Sequence, residues 1–510
     1  MIEFKLKALV ELLFTGGLIG FLPLSVAFAD GGEPVFRNER TEVKVGTEYF
    51  SDCNPILPLW EHIPDGEPHV FEDPDKPGKY RVYIYGSHDT RRDEYCGTDL
   101  VVWSAPLEDL SNWRYDGVIY ANNNYPEDPR LMFAPDVAEV IKDGVKRYYL
   151  YPNEQRAPRA DVAIAETPKG PFVNMGKSGL IGFDPAVLVD DDGRVYAYWG
   201  FNKSYGAELD PTTMCTLKPG TKVVENMVSN RVDDDAFGNS AEAQSQRFRF
   251  FEASSIRKIG HMYVFVYSRF PHKAENRGGG QMLAYAYSTN PLGPWTYGGP
   301  VIASPTGNIH GGLVQLNGEW YIFYHRDTNN SWYARQACVE PVKIEIKGNT
   351  VKIDEVPFTS MGFNRKGLDP YKKYSAAIAC QVTGGAYIKA TYDTSINCNP
   401  VILKNNGVLG YKDYNFDAIV GSNNSLLLDF IPNGGINVSI DIMVDKPSET
   451  EGGIKLGTIS ISASASRLLK TYKTALSGLN KIKGKHPLYL VYKSDSDKEI
   501  GELLYLRFSR

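Results

Sequence analysis

The sequence predicts an all-β protein: a five-bladed β-propeller followed by a jelly-roll-like β-sandwich. Three observations predict it. First, an aromatic, strand-like cluster recurs five times: YRVYIYGS from Tyr80, KRYYLYP from Lys146, RVYAYWG from Arg194, HMYVFVYS from His261 and EWYIFYHR from Glu319. Units of several antiparallel strands, repeating at roughly 45–70 residues, mark propeller blades. Second, a short apolar strand precedes each cluster (EPHVF, DVAEVI, DPAVLV, EASSIRKI, HGGLVQL), and KDG, DDDG, IG and NG supply most of the joining turns. Third, the aromatic repeat stops after about Val356, and all seven Trp residues fall between 60 and 332.

Within each predicted blade, further strands follow the cluster. VVWSAPLEDLSNWRYDG, VAIAETPKGPFVNMG and LAYAYSTNPLGPWTYGG each read strand, turn, strand. Beyond the propeller, AYIKATY, SLLLDF, INVSIDIMV, IKLGTISI, HPLYLVYK and ELLYLRF alternate in period two between Gly, Asn, Asp and Ser turns, as sandwich strands do. The predicted boundaries are 1–29 for a signal peptide, 30–355 for the propeller, 356–375 for a linker and 376–510 for the sandwich.

Composition narrows the function. Net charge is −6 with no block of five or more basic residues, so nucleic-acid binding lacks its main driving term. Aromatics reach 12%, Tyr foremost, which suits both strands and sugar-stacking surfaces. Lys5 and Lys7 precede an apolar run that closes on Ala27-Phe28-Ala29, a small-x-small cleavage pattern. Export to the periplasm or exterior follows, with cleavage after Ala29 and no membrane association of the mature form; a retained anchor is the alternative. The six cysteines form no metal-type CxxC pair, although Cys380 and Cys398 are placed to pair in an exported chain.

The register of the repeats points to a site. The innermost strands start at Asp65, Asp136, Asp184, Glu252 and His310. Asp136 to Tyr148 and Asp184 to Tyr196 both span 12 residues, while Glu252 to Tyr263 and His310 to Tyr321 span 11. Asp65 to Tyr83 fits once EDPDKPG is taken as a loop insertion. Innermost strands ring one axis, so four acids and a histidine converge at one mouth. Carboxylates without basic partners, rimmed by aromatics, suit metal binding or acid–base work on a neutral substrate. Taken singly, each has a plain structural use: a turn cap for Asp184, a solvated strand end for Glu252, a satisfied histidine at His310, a floor residue at Asp136. Trp103, Phe133 and Trp199 lie near strand or loop ends as candidate sugar platforms. Asp89, in GSHD, is a candidate for a sugar hydroxyl, and Arg335 for the substrate or the acids.

FDPAVLVDDDGRVYAYWG, FAPDV, EASSIRK and GSHD resemble glycoside hydrolase family 43, the five-bladed arabinofuranosidases and xylosidases, over roughly residues 50–345. The resemblance implies an inverting mechanism in which Asp65 is the general base, Glu252 the general acid and Asp184 the residue that orients the acid and raises its pKa. It places His310 beside a structural calcium on the axis, with no cofactor required for chemistry. Gly66 stands where that family usually has Pro, and Glu67-Pro68 mimics the motif two residues on, so Glu67 is the alternative base on the same strand face. The sandwich resembles family 6 carbohydrate-binding modules, with Tyr411, Tyr414 and Phe416 as candidate sugar contacts and bracing of the propeller as the alternative. The implied activity is release of terminal α-L-arabinofuranose or β-D-xylose from plant cell-wall polysaccharide or oligosaccharide: arabinoxylan, arabinan or xylan. An endo-arabinanase, a galactan-directed hydrolase and a non-catalytic glycan-binding propeller are the other readings.

Overall fold

The computed structural model describes residues 39–510 except 122–129, 156–158, 237–246, 273–274, 276, 278–279 and 306. The expected signal peptide lies outside the described residues. Five antiparallel sheets follow one another along the chain. The first has five strands, with Glu67–Glu72 innermost, then Tyr80–Tyr85, Asp99–Pro106 and Asn112–Ala121, and Glu48–Phe50 outermost. The next three have four strands each and begin at Met132–Lys142, Ala186–Val189 and Phe250–Ile259; the fifth has three and begins at Leu313–Leu316. These innermost strands contact one another in sequence, and the fifth contacts the first, so the ring is closed. The fold is a five-bladed propeller.

The aromatic clusters are the second strands of their blades, and they pack between blades rather than toward solvent. Tyr83, Tyr85 and Tyr148 share one core with Phe71; Tyr196, Tyr198, Phe265 and Tyr267 share another with Trp295. Large flat rings fill the wedge that widens between twisted sheets with little loss of rotamer freedom. The fifth blade lacks a fourth strand. The segment between Glu48–Phe50 and Glu67–Glu72 of the first blade packs against it instead: Asn54 accepts from Val339 N (3.0 Å) and donates back to its carbonyl (3.0 Å), and Ile56 N reaches Ala337 O (3.1 Å).

After the hairpin Ile344–Lys347 and Thr350–Ile353, two sheets of six and five strands face each other. Their inner residues, among them Leu403, Phe430 and Leu506 from one and Ile440, Ile442 and Leu490 from the other, form a single core. Tyr411, Tyr414 and Phe416 belong to that core at 0% exposure, so they cannot meet a sugar. Their alternation with polar neighbours is that of an inner sandwich face. Cys380 and Cys398 are free thiols, so the pairing open to them is not made.

Candidate active site

Asp65 and Asp184 each stand two residues before an innermost strand, and both adopt a left-handed backbone, φ 59° and 47°. Aspartate tolerates this conformation better than most residues, and such strain concentrates at functional sites. The shared offset and shared conformation make Asp65, rather than Glu67, the blade-one counterpart of Asp184. Glu252 sits at a β-bulge of the fourth blade, where the pairing slips on both sides of it. A bulge re-aims a side chain that a regular strand would turn elsewhere.

The three carboxyls and their neighbours meet at the mouth. Asp184 Oδ2 accepts from Ala253 N (3.0 Å), tying the third blade to the residue after Glu252. His310 Nδ1 lies 3.7 Å from both Asp65 Oδ1 and Asp184 Oδ2. Asp65 and Asp184 are 6% and 4% exposed, while Glu252 is the more open of the three.

Electrostatics separate them. Burial alone would push Asp65 up, but the Arg335 guanidinium and a hydrogen bond from Ser87 hold it below its ordinary value. Arg335 Nη1 donates at 3.0 Å to Oδ1, and Ser87 Oγ at 2.6 Å to Oδ2. Burial and the charge of Asp65 push Glu252 up to about 8. Asp184 is pushed well above its ordinary value by burial, then by Glu252 and Asp65. Three neighbouring carboxyls cannot all ionise, and the cation beside Asp65 decides which one does. The charge that raises Glu252 is therefore that of Asp65, and Asp184 is raised alongside it. Burial brings His310 down to about 4 and His325 to about 3, so both are neutral imidazoles.

Several expectations are corrected. Asp89 is wholly buried and grips Arg335: Oδ2 accepts from Nε (2.9 Å) and from the backbone N (3.0 Å), and Oδ1 from Nη2 (2.9 Å). It thus acts on the guanidinium that faces Asp65 and offers nothing to a sugar hydroxyl. Gly86 of GSHD permits this loop, because a Cβ there would lie 2.2 Å from Pro64 O. Trp103 is 0% exposed, packed at a tilt against Trp60 and Tyr115 with Nε1 donating to Glu61 Oε2 (2.7 Å). Trp199 is 4% exposed and lies flat on Tyr205, 5.7 Å away. Neither can serve as a platform. For Trp103→Ala we expect a stability loss of about 3–5 kcal/mol from the cavity it leaves, read as a lower unfolding midpoint in urea.

Phe133, by contrast, is partly exposed and begins an arc of rings: Phe133–Phe183 at 5.9 Å, Phe183–Phe201 at 5.4 Å, Phe201–Phe251 at 5.1 Å and Phe251–Phe270 at 4.9 Å. Phe183 and Phe251 directly precede Asp184 and Glu252, a signal present in FDPA and FEASS. Asn308, two residues before His310, donates Nδ2 to Glu252 Oε1 (3.1 Å) and accepts from Arg335 Nη1 (3.3 Å), linking Glu252 to the guanidinium that faces Asp65. Tyr95 lies under the Arg335 guanidinium at 4.9 Å.

The axial calcium finds a poor donor set. Among the described residues Glu67, His69 and Asp136 offer ligand atoms within 4.8 Å of one another, and His310 is not part of that group. Glu67 Oε1 already pairs with Arg257 (2.6 Å), and Asp136 Oδ1 with His69 Nε2 (2.7 Å) while Oδ2 accepts from Val187 N (2.6 Å). Calcium takes six to eight oxygens. An imidazole and two carboxylates already paired with cationic or N–H partners do not supply that set, so Asp136 is a structural link between blades.

A closed propeller with a differentiated carboxyl cluster at its mouth is an arrangement that suits glycoside hydrolysis. Residues 66–349 match the family model described as Glycosyl hydrolases family 43, and the chain belongs to that family. It is 37% identical to a xylosidase/arabinosidase of Thermoclostridium stercorarium over 65% of this chain and 72% of the relative. An arabinoxylan arabinofuranohydrolase of Paenibacillus polymyxa is 26% identical over 88% of this chain and 73% of the relative, a span that includes most of the sandwich. A xylosidase/arabinosidase of Bacteroides ovatus is 29% identical over 52% and 86%.

Proposed function

We propose that this glycoside hydrolase is exported and releases terminal α-L-arabinofuranose or β-D-xylose from arabinoxylan and related plant cell-wall polysaccharides, with inversion. The observation that carries the reading is the split within the carboxyl cluster: one acid held ionised by Arg335, and Glu252 held protonated near neutrality. In this reading Asp65 accepts a proton from water as its oxygen attacks the anomeric carbon. Glu252 donates its proton to the departing glycosidic oxygen, and the C–O bond breaks through an oxocarbenium-like transition state. Glu252, the most open of the three, stands on the side from which the remaining polymer leaves. Asp184 adjoins both and keeps the developing positive charge at the sugar facing carboxyl oxygens. The phenylalanine arc gives the leaving chain apolar faces to lie on. The relatives named xylosidase/arabinosidase and arabinoxylan arabinofuranohydrolase support the sugar class.

The test is hydrolysis of p-nitrophenyl α-L-arabinofuranoside and β-D-xyloside, with the first-formed anomer followed by proton NMR. We expect turnover of one or both with inverted configuration. Turnover of neither would remove the substrate class, and retention would remove Asp65 as a base acting on water.

A further inference from the structure

We propose that the sandwich positions the active-site loops through Tyr392, which ties the loop carrying Asp89 and Tyr95 to the loop carrying Arg335. The proposal rests on the catalytic reading of that site. Residues 389–400 leave the sandwich between strands Tyr387–Ile388 and Val401–Leu403 as an excursion closed at its base by Lys389 N donating to Pro400 O (2.9 Å). Its return limb is pinned to the propeller at Leu59, whose N donates to Asn397 Oδ1 (2.8 Å) and whose carbonyl accepts from Asn399 Nδ2 (2.9 Å). Its outward limb carries Tyr392, 3% exposed, tilted against the His62 ring at 4.7 Å and packed with Ala390 against Ala334.

The hydroxyl of this side chain lies near two carbonyls of different blades, Arg91 O at 2.8 Å and Tyr333 O at 3.3 Å. Arg91 is two residues past Asp89, and Tyr333 is two residues before Arg335. The tie reaches the site through few bonds. Asp89 grips Arg335, and Arg335 stacks on Tyr95 and donates to Asp65. Tyr95 also meets Tyr333 edge-on at 5.0 Å. A rigid hydroxyl shared between the two loops therefore fixes how far Arg335 stands from the base. The bulk of the interface lies elsewhere: Arg326 donates to Ala379 O (2.8 Å) and to Ala377 O, fastening the sandwich to the fifth blade independently of Tyr392. Loss of one hydroxyl thus leaves the two domains joined and loosens only the tie.

The experiment is Tyr392→Phe in the full chain, with Thr394→Ala as control, on the same excursion but with its hydroxyl paired to Thr41 Oγ1 (2.6 Å) rather than to either active-site loop. Two readouts are taken. Amide hydrogen exchange in the unliganded protein is expected to quicken at Cys96 and Arg335, whose N–H groups bond Asp89, in the Phe variant alone. On whichever aryl glycoside the native enzyme turns over, kcat is expected to fall about tenfold with KM within about twofold, since misplacing a catalytic pair costs transition-state alignment before binding. Unchanged exchange overturns the tie, whether or not the protein hydrolyses either glycoside. Quickened exchange with unchanged kcat overturns the positioning role. A native protein inert on both glycosides counts against the proposed function alone, and exchange still decides the tie.

Discussion

Replacing Glu252 with Gln is expected to lower kcat/KM on arabinoxylan oligosaccharides by about 10²–10⁴, the usual contribution of a positioned general acid. The carboxamide keeps the size and can still meet Asn308, but it has no proton to give to a sugar oxygen leaving as an alkoxide. The loss should be smaller on p-nitrophenyl glycosides, because nitrophenolate departs with little protonation. That contrast separates loss of an acid from general damage to the site, which would depress both substrates alike. The pH profile gives a second reading. As the proposed general acid, Glu252 must be protonated, so native activity is expected to fall as pH rises through about 8, the value to which burial and Asp65 push its carboxyl. Gln does not titrate, and the alkaline limb should vanish from the residual activity of the variant. A variant that keeps native rates on oligosaccharides, or keeps the limb, would take the acid's role away from Glu252.

The strand starts were legible because each breaks a rule. A polar residue at the head of an apolar strand has no reason to recur unless the recurrence serves a site, and Asp65, Asp184, Glu252 and His310 do meet at one mouth. Only Asp65 and Asp184 share an offset, however; Glu252 and Asp136 lie within their strands and His310 stands three residues before its own. The same local reasoning failed for Trp103 and Trp199. Strand-end aromatics look exposed in sequence, yet the wedge between blades consumes them. It also failed for Asp89, because its partner Arg335 lies 246 residues away. Ser87, Tyr95, Asn308 and His325 went unseen for a related reason: they come from three separate stretches, Ser87 and Tyr95 from one loop, with no spacing in common. His325 is hidden within EWYIFYHR, a segment that reads only as strand, although its Nδ1 accepts from Asp65 N (3.1 Å). Phe183 and Phe251 were within reach, since each immediately precedes an acid the register had already found.

Replacing Asp65 with Asn is expected to lower kcat by about 10²–10⁴ on oligosaccharides and aryl glycosides alike, because no leaving group relieves the need to activate water. Asn presents an oxygen with too little basicity to take a proton, and it leaves the buried Arg335 charge with Asp89 as its one remaining carboxylate. Glu67→Gln is the matching control, since Glu67 is the other acid that the motif allows as base. Its Oε1 faces Arg257 at 2.6 Å and Ser255 Oγ at 3.0 Å, and its Oε2 lies where a Cβ on Gly312 would come within 2.4 Å. These neighbours belong to the propeller axis, and Asp184 and Glu252 are not among them. Glu67→Gln should therefore weaken a buried ion pair, costing stability by about 1–3 kcal/mol and lowering the unfolding midpoint, while kcat stays within about tenfold. The reverse pattern, a fold-stable but inactive Glu67→Gln beside an active Asp65→Asn, would move the base two residues along the strand. Asp65 and Asp184 share offset and backbone conformation, whereas Glu67 matches the strand residue Ala186, so the first pattern is the one the repeat geometry favours.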